Sequence, residues 1–307
     1  MSTSVERISP AAPVVEDAHD ESLATAFSEL TKARLTVMVL LTTFTGYYLA
    51  QQGGFDWGRL ANTLVGTALV AICSSILNQA MERDTDALMR RTEQRPFVTR
   101  RLPLRPTVIV GLLLGAVGLA ELAWAVNGLT ALVAFVTLVT YVVVYTPMKK
   151  MTVLNTLVGA IPGALPPLLG ATAARGGFCV EGWLLFALLA FWQLPHFYAI
   201  AWLYRDDYRA AGLRMVSVED ESGRNTARHA VVSCVLLFPV SLFPAWTGSA
   251  GSFYAGAATV LSAGFVWLAV RFAQKPARVT ARRLFLGSIT YLPLVLLALI
   301  VDKALRG

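Results

Sequence analysis

The sequence predicts an all-α integral membrane protein, and three observations carry that prediction. Of 307 residues, 56% are apolar and only 15% are Asp, Glu, Lys or Arg, against roughly 25% charged residues in a soluble protein. The apolar residues fall into blocks long enough to cross a bilayer, which takes about 20 residues each. The basic residues, 26 against 19 acidic for a formal net charge of +7, lie between those blocks. They do not form one continuous basic surface, and this excludes nucleic acid as a partner. Cys73, Cys179 and Cys234 have neither a CxxC nor a metal-ligand spacing, which excludes a disulfide scaffold.

Residues 1–24 are rich in Ser, Pro, Ala and acid (Glu6, Glu16, Asp17, Asp20, Glu21) and read as a disordered tail. They lack both the apolar core of a secretory signal and the Arg-rich, acid-poor character of a transit peptide. That points to a bacterial inner-membrane protein inserted through its own helices. Residues 25–307 then form one polytopic membrane domain. Nine spans are expected, at about 35–51, 60–80, 106–126, 128–148, 152–173, 183–204, 230–248, 253–272 and 283–302. The first is short. The fifth contains Pro162, Pro166 and Pro167, which a bundle tolerates because neighbouring helices satisfy the freed backbone groups. Gly111 with Gly115, and Gly159 with Gly163, have the small-xxx-small spacing that brings helices close.

An odd number of spans puts the two termini on opposite sides. With the N-terminus inside, only Arg59, Arg175, Lys303 and Arg306 lie outside, leaving 22 of the 26 basic residues on the cytoplasmic face. The positive-inside rule fixes that orientation, with the C-terminus outside. Asp56, Glu121, Glu181 and Asp302 cancel the outer basic charge, so the whole net charge sits on the inner face. The basic stretches 95–105 and 271–283 face the lipid bilayer there.

Two inner loops, 81–105 and 205–229, are longer than a turn requires and carry charges of both signs. Asn78, Glu82 and Asp86 are spaced four apart. At about 100° per residue, a helix shows all three on one face over roughly 12 Å. A row of oxygen ligands at a helix mouth suits Mg²⁺, which takes one or two carboxylates and leaves the rest of its shell to water and phosphate. The same spacing also suits a solvated, salt-bridged helix end, since Arg83, Arg90 and Arg91 lie nearby. Asp206 and Asp207 offer a second acidic edge or, equally, a solvated cap. Lys149 and Lys150 end the fourth span at the same face, as anchors or as ligands of a diphosphate. His196 lies within the sixth span. There it is either a functional group or a hydrogen-bonding partner of a neighbouring helix. Acids and bases thus converge at one depth, with an apolar helix cavity behind them. That arrangement fits a substrate with a charged head and a greasy tail, such as a prenyl diphosphate.

Asn78-xxx-Glu82-xxx-Asp86 followed by Arg91-Thr-Glu-Gln-Arg95-Pro resembles the first signature of the UbiA-type intramembrane prenyltransferases, and Tyr145-xxx-Lys149 looks like their YxxxK element. The stretches Tyr145-Thr-Pro-Met-Lys-Lys, Leu154 to Gly170, Trp192-Gln-Leu-Pro-His196-Phe and Asp206-Asp-Tyr-Arg-Ala-Ala-Gly212 resemble the heme-modifying branch. The likeness runs from about Leu30 to Asp302. It implies nine helices around a central cavity, with Mg²⁺ holding farnesyl diphosphate and with heme B as acceptor. Asn78, Glu82 and Asp86 fall on the first metal motif, and Asp206 and Asp207 on the second. The latter departs from the usual DxxxD, because Ala210 follows Asp206 by four and Leu203 precedes Asp207 by four. Arg91, Arg95 and Lys149 would supply positive charge to the diphosphate. Tyr145 would stabilise an allylic cation, and His196 would meet the heme propionates or iron or help activate water. A heme A synthase would take the product downstream. Three other readings are a prenyltransferase for a quinone precursor, an ion-coupled transporter and a non-catalytic heme-delivery protein. Transport predicts acids near mid-membrane, and here they cluster at helix ends on one side.

Overall fold

A computed structural model describes residues 23–306. The expected disordered tail, 1–24, lies almost wholly outside the described residues. The described chain is helical, in the order α1 (Leu23–Leu30), α2 (Ala33–Ala50), α3 (Trp57–Asp86), α4 (Leu104–Glu121), α5 (Gly128–Val139), α6 (Thr146–Met151), α7 (Asn155–Arg175), α8 (Val180–Leu203), α9 (Arg205–Ala210), α10 (Val216–Glu219), α11 (Arg224–Trp246), α12 (Ser252–Gln274) and α13 (Arg278–Leu305). Nine helical segments among the described residues are long and apolar enough to span a membrane, matching the nine expected. Two are compound. A π-helical turn, Leu122–Val126, continues α4, and another, Thr140–Tyr145, joins α5 to α6.

The spans differ in what they touch. In α7 72% of the apolar window is buried, against 22% in the α4 and α5 spans, so α7 is the central post. Those outer spans turn Leu112, Leu113, Phe135 and Val143 outward, as a lipid-facing surface requires. Exposed Trp57, Trp124, Trp183 and Trp246 all lie near one set of helix ends, as an aromatic belt at one membrane interface would. Close helix approach is bought with glycine. Gly111 packs on Ile76 and Gly115 on Cys73 across α3 and α4, and Gly46 and Gly170 set α2 backbone-to-backbone on α7. The packing role expected of Gly111 and Gly115 is thereby found. Gly159 has a further use, because it makes room for the Tyr145 ring.

The outer charges serve as helix caps. Buried Asp302 accepts from the backbone N–H groups of Gly251 and Tyr254 at the start of α12 (2.7 and 3.1 Å) and pairs with Arg306. Lys303 donates to the carbonyls of Tyr48, Leu49 and Gln51 at the end of α2. At the inner end, Asp220 caps α11 by accepting from the Thr226 N–H (2.8 Å), Thr226 Oγ1 (3.0 Å) and Ser222 Oγ (2.9 Å). Burial alone would raise its pKa, but these bonds outweigh burial and hold the carboxyl below its ordinary value. The stability it contributes is therefore present above the ordinary carboxylate pKa of about 4 and is lost as pH falls through the lower folded value. Asp220→Ala is expected to lower stability by about 1–2 kcal/mol at neutral pH, read as a thermal-unfolding shift in detergent that shrinks in strong acid.

Candidate active site

The site is built where α3 runs on past its apolar block. Asn78, Glu82 and Asp86 share a face, as their spacing predicts, and that face turns into the bundle. Asn78 is fully buried and Asp86 is 1% exposed, so these are not residues of a solvated helix end. Burying carboxylates is expensive unless cations meet them, and two do. Arg95, from the loop after α3, reaches Asp86 Oδ2 at 2.5 Å and Glu82 Oε2 at 3.8 Å. Lys149, on α6, donates to Glu82 Oε1 at 2.7 Å and lies 4.7 Å from the Tyr145 ring centre. Both oxygens of Glu82 thus face a cation. Asp86 is only half satisfied, because its Oδ1 is buried with no hydrogen-bond partner.

Two more cations complete the cluster. Arg91 lies over the rings of Tyr204 (5.1 Å) and Tyr208 (5.8 Å) and donates to the Tyr208 hydroxyl at 3.4 Å. Lys32, between α1 and α2, has left-handed backbone (φ 47°), an uncommon conformation for a residue with a side chain. It donates to Asn78 Oδ1 at 2.7 Å and to the Tyr141 hydroxyl at 3.5 Å. Burial, reinforced by the charges of Arg95 and Lys149, pushes the Lys32 ammonium down to about 7. An anion arriving beside it restores the charge.

Lys32, Glu82, Asp86, Arg91, Arg95, Tyr145 and Lys149 line one cavity of about 200 Å³, with Phe197, Ile200, Tyr208 and Met215 on its far walls. Arg91, Arg95 and Lys149 outnumber the two carboxylates even before Lys32 is counted, and that surplus of positive charge is what a diphosphate needs. The π-helical turn Thr140–Tyr145 carries Tyr141 and Tyr145 to this side, with ring centres 5.7 Å apart.

Not every sequence-predicted residue joins. Asp206 has an 81% exposed side chain and faces Arg205 and Arg209, and neither it nor Asp207 lines the cavity. Tyr208, the third residue of that Asp-Asp-Tyr, is the one that reaches in. Among the described residues no three His, Cys, Asp or Glu side chains are grouped as a metal site; the carboxylates converge as the pair Glu82 and Asp86. His196 stands apart, bonded to Ser288. Sequence reasoning missed Lys32, Tyr141 and Tyr208. The available signal for Lys32 was its place, with Arg34, directly before the expected first span.

Comparison with known proteins follows the same lines. The profile of the UbiA prenyltransferase family matches residues 39–295. The chain belongs to that family. A relative from Solibacter usitatus named protoheme IX farnesyltransferase is 41% identical, over 90% of this chain and 98% of its own. Among solved structures, a digeranylgeranylglyceryl phosphate synthase superimposes with a TM-score of 0.78 at 15% identity, over 91% of this chain and 98% of that one. A UbiA homolog from Archaeoglobus fulgidus, bound to DMAPP and Mg²⁺, superimposes with a TM-score of 0.65 at 14% identity, over 89% of this chain and 99% of that one. These structures share the UbiA fold with this chain. Within that fold, the charged cavity is built from Lys32 before α2, the end of α3 and the loop after it, the Thr140–Met151 segment, the start of α7, the end of α8 and the stretch between α8 and α10.

Proposed function

We propose that this UbiA-family chain transfers the farnesyl group of farnesyl diphosphate to a vinyl group of protoheme IX (heme B). Water adds as well, giving the hydroxyethylfarnesyl side chain of heme O and releasing diphosphate. The observation that carries the reading is the cluster of Lys32, Arg91, Arg95 and Lys149, half-buried apart from the exposed Arg91, around half-buried Glu82 and buried Asp86. It occurs in a chain 41% identical over nearly its whole length to a relative named for that activity.

The difficult step is breaking an allylic C–O bond, and the protein's part is largely electrostatic. Arg91, Arg95, Lys32 and Lys149 face the diphosphate and meet the charge that grows on its oxygens. They are already in place before reaction, so little reorganisation is needed. The residues present also fit Mg²⁺. The unpartnered Asp86 Oδ1 is an oxygen ligand open to a cation, with Glu82 one turn before it; the Asn78 amide oxygen lies two turns before Asp86 and accepts from Lys32. When bound, the ion supplies further neutralisation of the leaving diphosphate. Asp206 and Asp207, at the rim beside Tyr208, are the acids available to a second ion. The Tyr145 face, held over Gly159, offers an electron-rich wall to the allylic cation. The apolar far walls, Phe197 and Ile200, keep water from capturing it early.

The charge asymmetry supports an orientation with the N-terminus and cavity on the cytoplasmic side of a bacterial inner membrane; a heme A synthase would then consume the product. The deciding experiment gives full-length protein in lipid nanodiscs heme B, farnesyl diphosphate and Mg²⁺, with mass spectrometry of the pigments. Heme O is the expected product, and 4-hydroxybenzoate in place of heme B is expected to give none. Prenylated 4-hydroxybenzoate without heme O would overturn the assignment.

A further inference from the structure

One polar group deep in the bundle has no part in the charged cavity. His196 lies about two-thirds of the way along α8 (Val180–Leu203), about 8 Å along the helix axis from Ala201 at the cavity wall. Its ring stacks on Trp192 (5.1 Å between centres, 25° between planes) and packs against Phe285 (5.2 Å) and Phe197 (5.8 Å). Phe197 is itself a wall of the charged cavity.

The protonation of the ring follows from its neighbour. His196 Nδ1 lies 2.7 Å from Ser288 Oγ. A serine hydroxyl has a single proton, and Ser288 donates it to the Phe285 carbonyl at 2.5 Å. Ser288 Oγ therefore accepts from His196, which places the imidazole proton on Nδ1 and a bare lone pair on Nε2. Ser288 also receives Trp192 Nε1–H on its carbonyl, at 2.9 Å, so one residue fixes both the histidine and the indole stacked on it. Nε2 makes no hydrogen bond to the described residues, and His196 is partly exposed. A helix-to-helix hydrogen bond would account for Nδ1 alone. It leaves an unpartnered acceptor inside the membrane, where such groups are costly and functional by default. A neutral imidazole with one nitrogen tethered as donor and the other open is how proteins present histidine to a metal. The rings of Trp192, Phe197 and Phe285 pack around the imidazole and hold it in one orientation, beside a wall of the charged cavity.

We infer that His196 Nε2 is the axial ligand of the iron in the protoheme acceptor, oriented by Ser288; the inference rests on heme being the acceptor, as proposed above. Coordination fixes the macrocycle beside Phe197, so that one edge faces the charged cavity where the farnesyl group is released. No bond to the porphyrin and no change of iron oxidation state is required.

The test is a titration of full-length protein in nanodiscs with ferric heme B, followed by absorption and electron paramagnetic resonance. The wild type is expected to show a histidine-ligated iron. His196→Gln, which keeps a polar side chain, and His196→Gly are both expected to lose that signature and to weaken heme binding tenfold or more, roughly the scale of a lost metal-site contact. Added imidazole restores the signature in His196→Gly. Farnesyl diphosphate binding with Mg²⁺ stays unchanged in both, which verifies that they fold. Ser288→Ala weakens heme binding about tenfold with the ligand set retained. A wild-type spectrum kept by His196→Gln overturns the inference. So does a wild type that makes heme O but shows no nitrogen ligation. A wild type that neither binds heme nor makes heme O overturns the acceptor itself, and with it the proposed function.

Discussion

Replacing Asp86 by Ala is expected to lower heme O formation about 10³-fold or more, while the bundle stays assembled. Removing one preorganised group that meets developing charge costs about 10²–10³ in rate, and Asp86 holds two such functions. Its Oδ2 fixes Arg95 at 2.5 Å, and its Oδ1 is the buried oxygen left for a cation. The variant therefore loses an ion ligand and lets the arginine swing. Asp86→Asn separates the two effects, because it keeps the shape and the Arg95 contact but gives up the charge. Its turnover should fall almost as far and recover in part at raised Mg²⁺. Turnover measured by mass spectrometry, beside thermal unfolding in detergent, checks both. Wild-type turnover in Asp86→Ala would remove this carboxylate from the reaction.

The largest expected loss of stability lies far from the chemistry, at Gly170. A Cβ built there falls 1.9 Å from the Thr43 carbonyl oxygen and 2.8 Å from the Tyr47 nitrogen, both backbone atoms of α2. Neither can rotate away, so α2 must separate from α7. Gly170→Ala should cost about 3 kcal/mol or more, at or beyond the upper end of overpacking penalties. Gly170→Leu should fail to assemble. Gly256→Ala is the matched control. It sits in α12 with open space around its Cβ position, and there alanine should be neutral or better, by up to about 1 kcal/mol. Detergent-solubilised yield and unfolding temperature read the difference. Equal stability of Gly170→Ala and the wild type would show that this crossing is looser than described.

Much of the architecture was legible because it follows from local chemistry. Twenty-residue apolar blocks have one stable form in a bilayer, so all nine spans were visible, each within about six residues of its observed ends. The misjudged ends lay at charged helix extensions. The third helix runs on from 80 to Asp86, because Glu82 and Asp86 find cations inside the protein. The seventh span begins at Arg224, ahead of the expected 230, because Asp220 caps its first turn. In the site, the fourfold spacing of Asn78, Glu82 and Asp86 gave a shared face, and Lys149, against the Tyr145 ring, meets Glu82 on it.

What the sequence determined by itself was the class of the molecule and the gathering of its charges at one set of helix ends. Hydropathy and charge placement act locally, and every window of the chain carries them. The tertiary structure alone decided which of those charges meet. It turned Arg95 back onto Asp86, carried Lys32 onto Asn78 across 46 residues of chain, and left Asp206 facing its own arginines. It also set His196 Nδ1 against the hydroxyl of Ser288, 92 residues away. Such pairings depend on how helices are rotated and how closely they approach, and those are set by contacts between distant segments at glycines such as Gly46, Gly159 and Gly170. Spacing along one helix records which residues share its face, and only packing records what that face is turned toward.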